Sequence, residues 1–203
     1  MNTPNLTLVD RIWPAATLNW TRSILLAILG SALVALAAQV SVPMLPVPMT
    51  LQTLAILAVG GAYGARLGAA TLALYALEGA IGLPVFANFQ AGLFLPTGEI
   101  IPTGGYVIGF IVAAGLVGRL VEKGWGANLL KLCAAMLIGA AVLYIPGLVW
   151  LACWLGVMKG MDATSAVTVA LSTGMLPFIP GDIIKAVLAA LAFPAAFSLI
   201  GRR

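Results

Sequence analysis

Residues 23–40, 49–65, 67–83, 100–118 and 132–158 form five runs almost free of charge. A helix needs about 20 mainly apolar residues to cross the hydrocarbon of a bilayer, so each run reads as a membrane span. A sixth run, 186–201, is led in by Asp182 and Lys185. Glu78 is the one charge within the third run, and Pro146-Gly147 in the fifth predicts a kink. The chain is 62% hydrophobic and 8% charged, where a soluble domain carries about 25% charged residues. No soluble domain fits in the remainder, and residues 1–203 read as one integral membrane domain.

Residues 163–181 are uncharged as well, but Thr164, Ser165, Thr168, Ser172 and Thr173 make them a poor span. Charge placement separates six spans from seven. With six spans and an inner N-terminus, Arg11, Arg22, Arg66, Arg119, Lys123, Lys131, Arg202 and Arg203 all fall on the cytoplasmic side. These are eight of the ten Lys and Arg, the asymmetry of the positive-inside rule. A seventh span would send Arg202 and Arg203 outside. Residues 163–178 are therefore expected to lie on, or dip into, the outer surface, and both termini to be cytoplasmic. The first run is too long for a secretory h-region and is followed by five more, so it is read as mature structure.

Trp13 and Trp20 suit the inner headgroup level. In the first span Ala27, Ser31 and Ala35 recur every four residues, a spacing that lets another helix approach closely. Two uses fit it: packing within the chain, and docking on a separate membrane subunit. Pro43, Pro46 and Pro48 predict a stiff extended outer connector. Gln52, a lone amide in apolar company, can bond backbone or reach a ligand. Residues 60–66 read as a tight inner turn. Glu78 needs a partner or a wet pocket, which the sequence does not name.

The outer loop from Gly82 to Tyr106 is long for a compact fold, and such loops are often lids or binding loops. Phe86, Phe89 and Tyr106 offer aromatic walls, and Asn88 and Gln90 both donate and accept. Eight of the twelve prolines fall on this same side, giving a rigid rim that reads as the mouth of a small-molecule pocket. The stretch from Pro177 to Ala186 completes the rim. Pro180 and Gly181 mark entry into a helix, on which Asp182 and Lys185 are i,i+3 neighbours. They read either as a self-neutralising helix cap or as a ligand site supplying an acceptor and a cation.

Much chemistry is absent. There is no phosphate-binding Gly-x-x-x-x-Gly-Lys-Ser/Thr loop, no His, no nucleophile elbow and no cysteine–histidine pair, so an enzyme is disfavoured. Two cysteines without histidine make neither a disulfide framework nor a metal site. The net charge of +4 is too scattered for nucleic acid.

Four motifs, in order, resemble the BioY family, the biotin-binding S-components of energy-coupling-factor transporters. They are Val47 to Leu54, Gly82 to Phe86, Pro102 to Tyr106 with Gly109-Phe110, and Pro177 to Lys185. The resemblance runs from about residue 25 to 200. It implies an all-α fold of six membrane helices whose outer loops cap a ligand pocket, in a bacterial or archaeal cell membrane. It implies that Asp182 accepts from the ureido ring of biotin, and that Lys185 meets the carboxylate or polar edge of the ligand. Asn88 and Tyr106 match pocket residues, with Gln52, Phe86 and Gln90 as further candidates. The stretch from Asn88 to Ile101 departs from the family's glycine-richer pattern, with a charge at Glu99. No cofactor is implied, since ATP would be bound by partner ATPases, with a transmembrane coupling subunit docking on Ala27, Ser31 and Ala35. A self-contained secondary permease for biotin or a related acid is the alternative, with Asp182, Glu78 and Lys185 coupling protons.

Overall fold

The structure, a computed structural model, describes residues 7–9, 20–92, 94 and 100–200, with side chains to residue 193. Arg11, Trp13, Pro96, Glu99, Arg202 and Arg203 lie outside the described residues. Helix α1 (Trp20–Gln39) leads into two short antiparallel strands, β1 (Ser41–Val42) and β2 (Met49–Thr50), paired Ser41 to Thr50 and Val42 to Met49. Then follow α2 (Gln52–Ala80), α3 (Gly104–Glu122), α4 (Leu129–Val142), α5 (Tyr144–Lys159), α6 (Ala163–Gly174) and α7 (Ile179–Ile200). Single 3-10 turns at Ala87–Phe89 and Trp125–Ala127 flank α3.

The three prolines of the connector thus sit in a loop between paired strands, not in an extended strut. The Leu51 N–H donates to the Val40 carbonyl at 2.9 Å and closes that loop onto the end of α1.

Among the described residues four helical stretches are long and apolar enough to cross a membrane: Trp20–Gln39, Gln52–Ala80, Gly104–Glu122 and Leu129–Lys159. A fifth is added if Ala163–Gly174 and Ile179–Phe193, bent by 47° at their junction, make one broken span. The count falls below the expected six because α2 contains both the second and the third apolar run. At Gly64 its backbone leaves the helix (φ 81°, ψ 178°), a conformation open in practice only to glycine. The two arms fold back, so that Gln52 near one end bonds Tyr75 near the other at 2.7 Å. The Glu122 carboxylate, at the end of α3, accepts from the Ala65 N–H at 2.8 Å and ties the turn.

Small residues let α3 press on this turn. A Cβ at residue 118 would sit 2.3 Å from the Gly64 carbonyl carbon and 2.4 Å from the Ala65 nitrogen, both backbone atoms. Gly118→Ala should therefore cost about 1–3 kcal/mol, the usual range for overpacking, and lower the thermal unfolding midpoint in detergent. Gly115→Ala is the control, because its Cβ would meet Ala69 Cβ at an ordinary 3.4 Å. That variant should hold or raise the midpoint, since Ala is favoured over Gly in a helix interior by about 1 kcal/mol.

A kink is expected in the fifth run; the boundary between α4 and α5 falls at Leu143, three residues before Pro146, where the backbone stays helical (φ −61°, ψ −26°). Proline removes one backbone donor and crowds the carbonyl four residues earlier, here that of Val142. Within this stretch α4 packs against α7, and α5 packs against α3 and α6. Asp162 caps α6, its carboxylate accepting from the Thr164 and Ser165 N–H groups, each at 3.1 Å. Bonds from the Ser165 side chain, then from its backbone, hold the Asp162 pKa below the ordinary carboxylate value.

On α1 the small-residue row turns inwards. Ser31 is fully buried and donates to the Glu78 carboxylate on the second arm of α2, which supplies the partner that Glu78 needs. Ala35 is half-buried against the core, and Ala27 is half-buried too. The open face of α1 carries Ile24, Ile28, Ala32 and Leu36 at four-residue spacing.

Candidate functional site

A cavity opens at the end of the molecule where α2 begins and ends. Its position follows from local chain signals. Pro180 stands in the first turn of α7, where its missing N–H would have no helical partner. The Asp182 N–H donates to the Phe178 carbonyl at 2.8 Å, starting the helix. The next turn then places Asp182 and Lys185 on one face, both facing the cavity.

Lys185 Nζ donates to Asp182 Oδ1 at 2.9 Å, and the Tyr144 hydroxyl donates to Asp182 Oδ2. Asp182 is 5% exposed. A buried carboxylate in contact with an ammonium and a phenol is charge-balanced, but it keeps lone pairs for further donors.

Aromatic walls surround this polar end. The Tyr106 hydroxyl donates to the Gly174 carbonyl at 2.7 Å, and its ring meets Tyr144 edge-on with centroids 6.3 Å apart. A Cβ on Gly147 would lie 2.6 Å from the Tyr106 ring, so the ring packs directly on that backbone. On the opposite wall Phe86 stands edge-on to Tyr75 at 5.6 Å. Gln52 Nε2 donates to the Tyr75 hydroxyl at 2.7 Å, and that hydroxyl donates to the Val85 carbonyl at 3.0 Å. Gln52 Oε1 accepts from Thr50 at 3.1 Å. The amide therefore bonds side chains at both ends and fixes the mouth of the hairpin against the loop behind Phe86.

The cavity brings together Gln52, Phe86, Gln90, Tyr106, Asp182 and Lys185. Asn88 stands apart from its lining. It is exposed, in the left-handed conformation (φ 57°), and accepts from the Ser41 hydroxyl at 3.0 Å. Asn tolerates that conformation better than most residues, and the turn aims its amide at β1, away from the cavity. Among the lining residues that the sequence did not single out are Tyr75 and Tyr144. Tyr144 carried one usable signal, its place beside the Pro146 kink.

The site thus offers one acceptor, one cation, several phenols and an apolar body. It suits a small molecule with N–H donors and an anionic or polar end on a hydrocarbon frame. Among the described residues no three His, Cys, Asp or Glu side chains group to hold a metal. This is the layout of a multi-pass helical membrane protein that holds a small solute at one end of its bundle. Comparison with known proteins narrows that class. The model of the BioY family matches residues 6–202. A biotin transporter BioY of Thermotoga maritima is 36% identical over 170 residues, covering 84% of this chain and 92% of the relative. One from Rhizobium etli is 35% identical over 181 residues, covering 84% and 90%. A crystal structure described as the S-component for biotin from an ECF-type ABC transporter superposes with a TM-score of 0.68. It covers 88% of this chain and 93% of its own at 24% identity, a likeness of fold. The chain belongs to the BioY family.

Proposed function

We propose that this chain is the biotin-binding S-component of an energy-coupling-factor transporter. As a BioY-family protein it is a transporter component, not an enzyme. The observation that carries the reading is the nearly buried Asp182–Lys185 pair in an aromatic-walled cavity. Asp182 accepts from a ureido N–H of biotin, Lys185 meets its carboxylate or polar edge, and Tyr106 and Phe86 flank the hydrocarbon. Tyr144 holds the carboxylate of Asp182 in place. Asn88, tied to Ser41, supports the loop that carries Phe86 and Gln90.

In this reading the whole chain is one membrane domain of six spans, the two arms of α2 counting separately. Both termini and the basic residues 66, 119, 123 and 131 face the cytoplasm of a bacterial or archaeal cell, in keeping with the charge asymmetry. The cavity opens outwards, beneath the outer loops.

Biotin is handed on by partners, a transmembrane coupling subunit and ATPases. The chain has no nucleotide-binding loop of its own. Ser31 is engaged by Glu78, so of the expected row Ala27 and Ala35 remain open to a partner helix, beside the exposed Ile24, Ile28, Ala32 and Leu36, and the coupling subunit docks on this face. In liposomes the chain alone should bind biotin without concentrating it, and ATP-driven uptake should appear only with both partners. Ala32→Trp should keep binding and abolish that uptake. Concentrative uptake by the chain alone would establish the permease alternative instead.

A further inference from the structure

We infer that the end of the bundle opposite the biotin cavity holds a second site, for the phosphate headgroup of an anionic phospholipid. Arg22 from the start of α1, Arg66 from the turn of α2 and Arg119 from the last turn of α3 line one cleft. These are three of the chain's ten Lys and Arg, drawn to one place from three elements. The cleft flanks the Gly64 turn, about 18 Å along α2 from Gln52 at about 1.5 Å of rise per residue. It is thus well separated from the cavity described above.

Among the described residues one acid shares the cleft. Glu122 lines it, but its Oε1 already accepts from the Ala65 N–H at 2.8 Å. Arg22 is buried and donates from Nη2 to the Val9 carbonyl at 3.0 Å, which fixes its guanidinium in the wall. Arg66 and Arg119 are exposed, and among the described residues neither makes an ion pair. Among the described residues the exposed Arg66 and Arg119 against one engaged carboxylate leave a positive surplus. Planar guanidinium forks match phosphate oxygens in bidentate fashion, and the Tyr63 side chain adds a phenol to the wall.

A free phosphate and a lipid headgroup share this chemistry. The neighbouring surface selects the lipid. Beyond Arg22, and beside the row offered to the coupling subunit, α1 exposes Leu25, Leu29 and Leu33, an aliphatic strip along which acyl chains can run once the phosphate is held. Basic pockets between membrane helices on the cytoplasmic side suit anionic headgroups.

The test uses the full chain in detergent and native mass spectrometry. Phosphatidylglycerol and phosphatidylcholine of identical acyl chains are supplied together. Phosphatidylglycerol should be retained at least about tenfold more, a difference of about 1.4 kcal/mol. The double variant Arg66→Gln/Arg119→Gln should lose that preference, while Lys123→Gln/Lys131→Gln, which removes equal charge outside the cleft, should keep it. Equal retention of the two lipids by the parent would overturn the inference. So would an equal loss in the two double variants, which would indicate net charge alone. Displacement of the lipid by equimolar inorganic phosphate would assign the cleft to a soluble anion and overturn the lipid source. Thermal unfolding of each variant confirms that it is folded, and Arg66→Gln alone serves if the pair is not.

Discussion

Asp182→Asn and Lys185→Met should each weaken biotin binding by about 2–5 kcal/mol, a rise in Kd of about thirty- to several-thousand-fold. The magnitude follows from where the pair sits. The side chains of Lys185 and Asp182 are only 11% and 8% exposed, so a ligand group that loses its partner there cannot turn to water. The amide of Asn replaces one acceptor oxygen with a donor and points it at a ligand N–H. Met keeps the length of Lys without its charge and leaves a ligand carboxylate unpaired. Isothermal titration of the purified variants measures both. If both bind biotin like the parent, the pair is a helix cap and nothing more.

The second large effect is on stability, and it separates the cap from the site. Removing one partner of a buried ion pair leaves a desolvated charge and costs about 3–5 kcal/mol, whereas replacing both partners is often close to neutral. Each single variant should therefore unfold at a clearly lower temperature than the parent. Tyr144 donates to Asp182 Oδ2 in addition to Lys185 at Oδ1, and this softens the loss in Lys185→Met. The double variant Asp182→Asn/Lys185→Met should regain most of the stability and none of the binding. A double variant as unstable as the sum of the two singles would mean that the residues act independently, against the geometry of a coupled pair.

The parts of this molecule that were legible in sequence are those governed by local rules. Long apolar runs predict long helices. Pro180 in a first turn and an i,i+3 spacing place Asp182 and Lys185 together without any knowledge of the rest of the chain. The glycines of residues 60–66 announce a turn, and it occurs at Gly64. Pro146 announces an irregularity, and the boundary between α4 and α5 falls three residues upstream, at Leu143. What stayed hidden depends on contacts between distant segments. Ser31 belongs to a row of small residues that suits either self-packing or docking, and only the approach of Glu78, 47 positions away, turns its hydroxyl inwards. Asn88 lies between Phe86 and Gln90, which both line the cavity, but its left-handed backbone and the Ser41 hydroxyl aim it elsewhere. Tyr144 reads as one more apolar-run aromatic until the fold brings α7 beside it and its hydroxyl meets Asp182, 38 positions away. The extended connector expected at residues 43–48 is overruled by the pairing of β1 with β2, which proline content alone does not reveal.

The most direct test of the central claim is to identify the small molecule that this cavity holds. The full chain is expressed with biotin in the medium, purified in mild detergent and analysed by native mass spectrometry. The account predicts one bound biotin on the parent protein, released on unfolding, and none on Asp182→Asn/Lys185→Met purified in the same way. A parent protein without biotin, or a double variant that retains it equally, would contradict the assignment of biotin to Asp182 and Lys185.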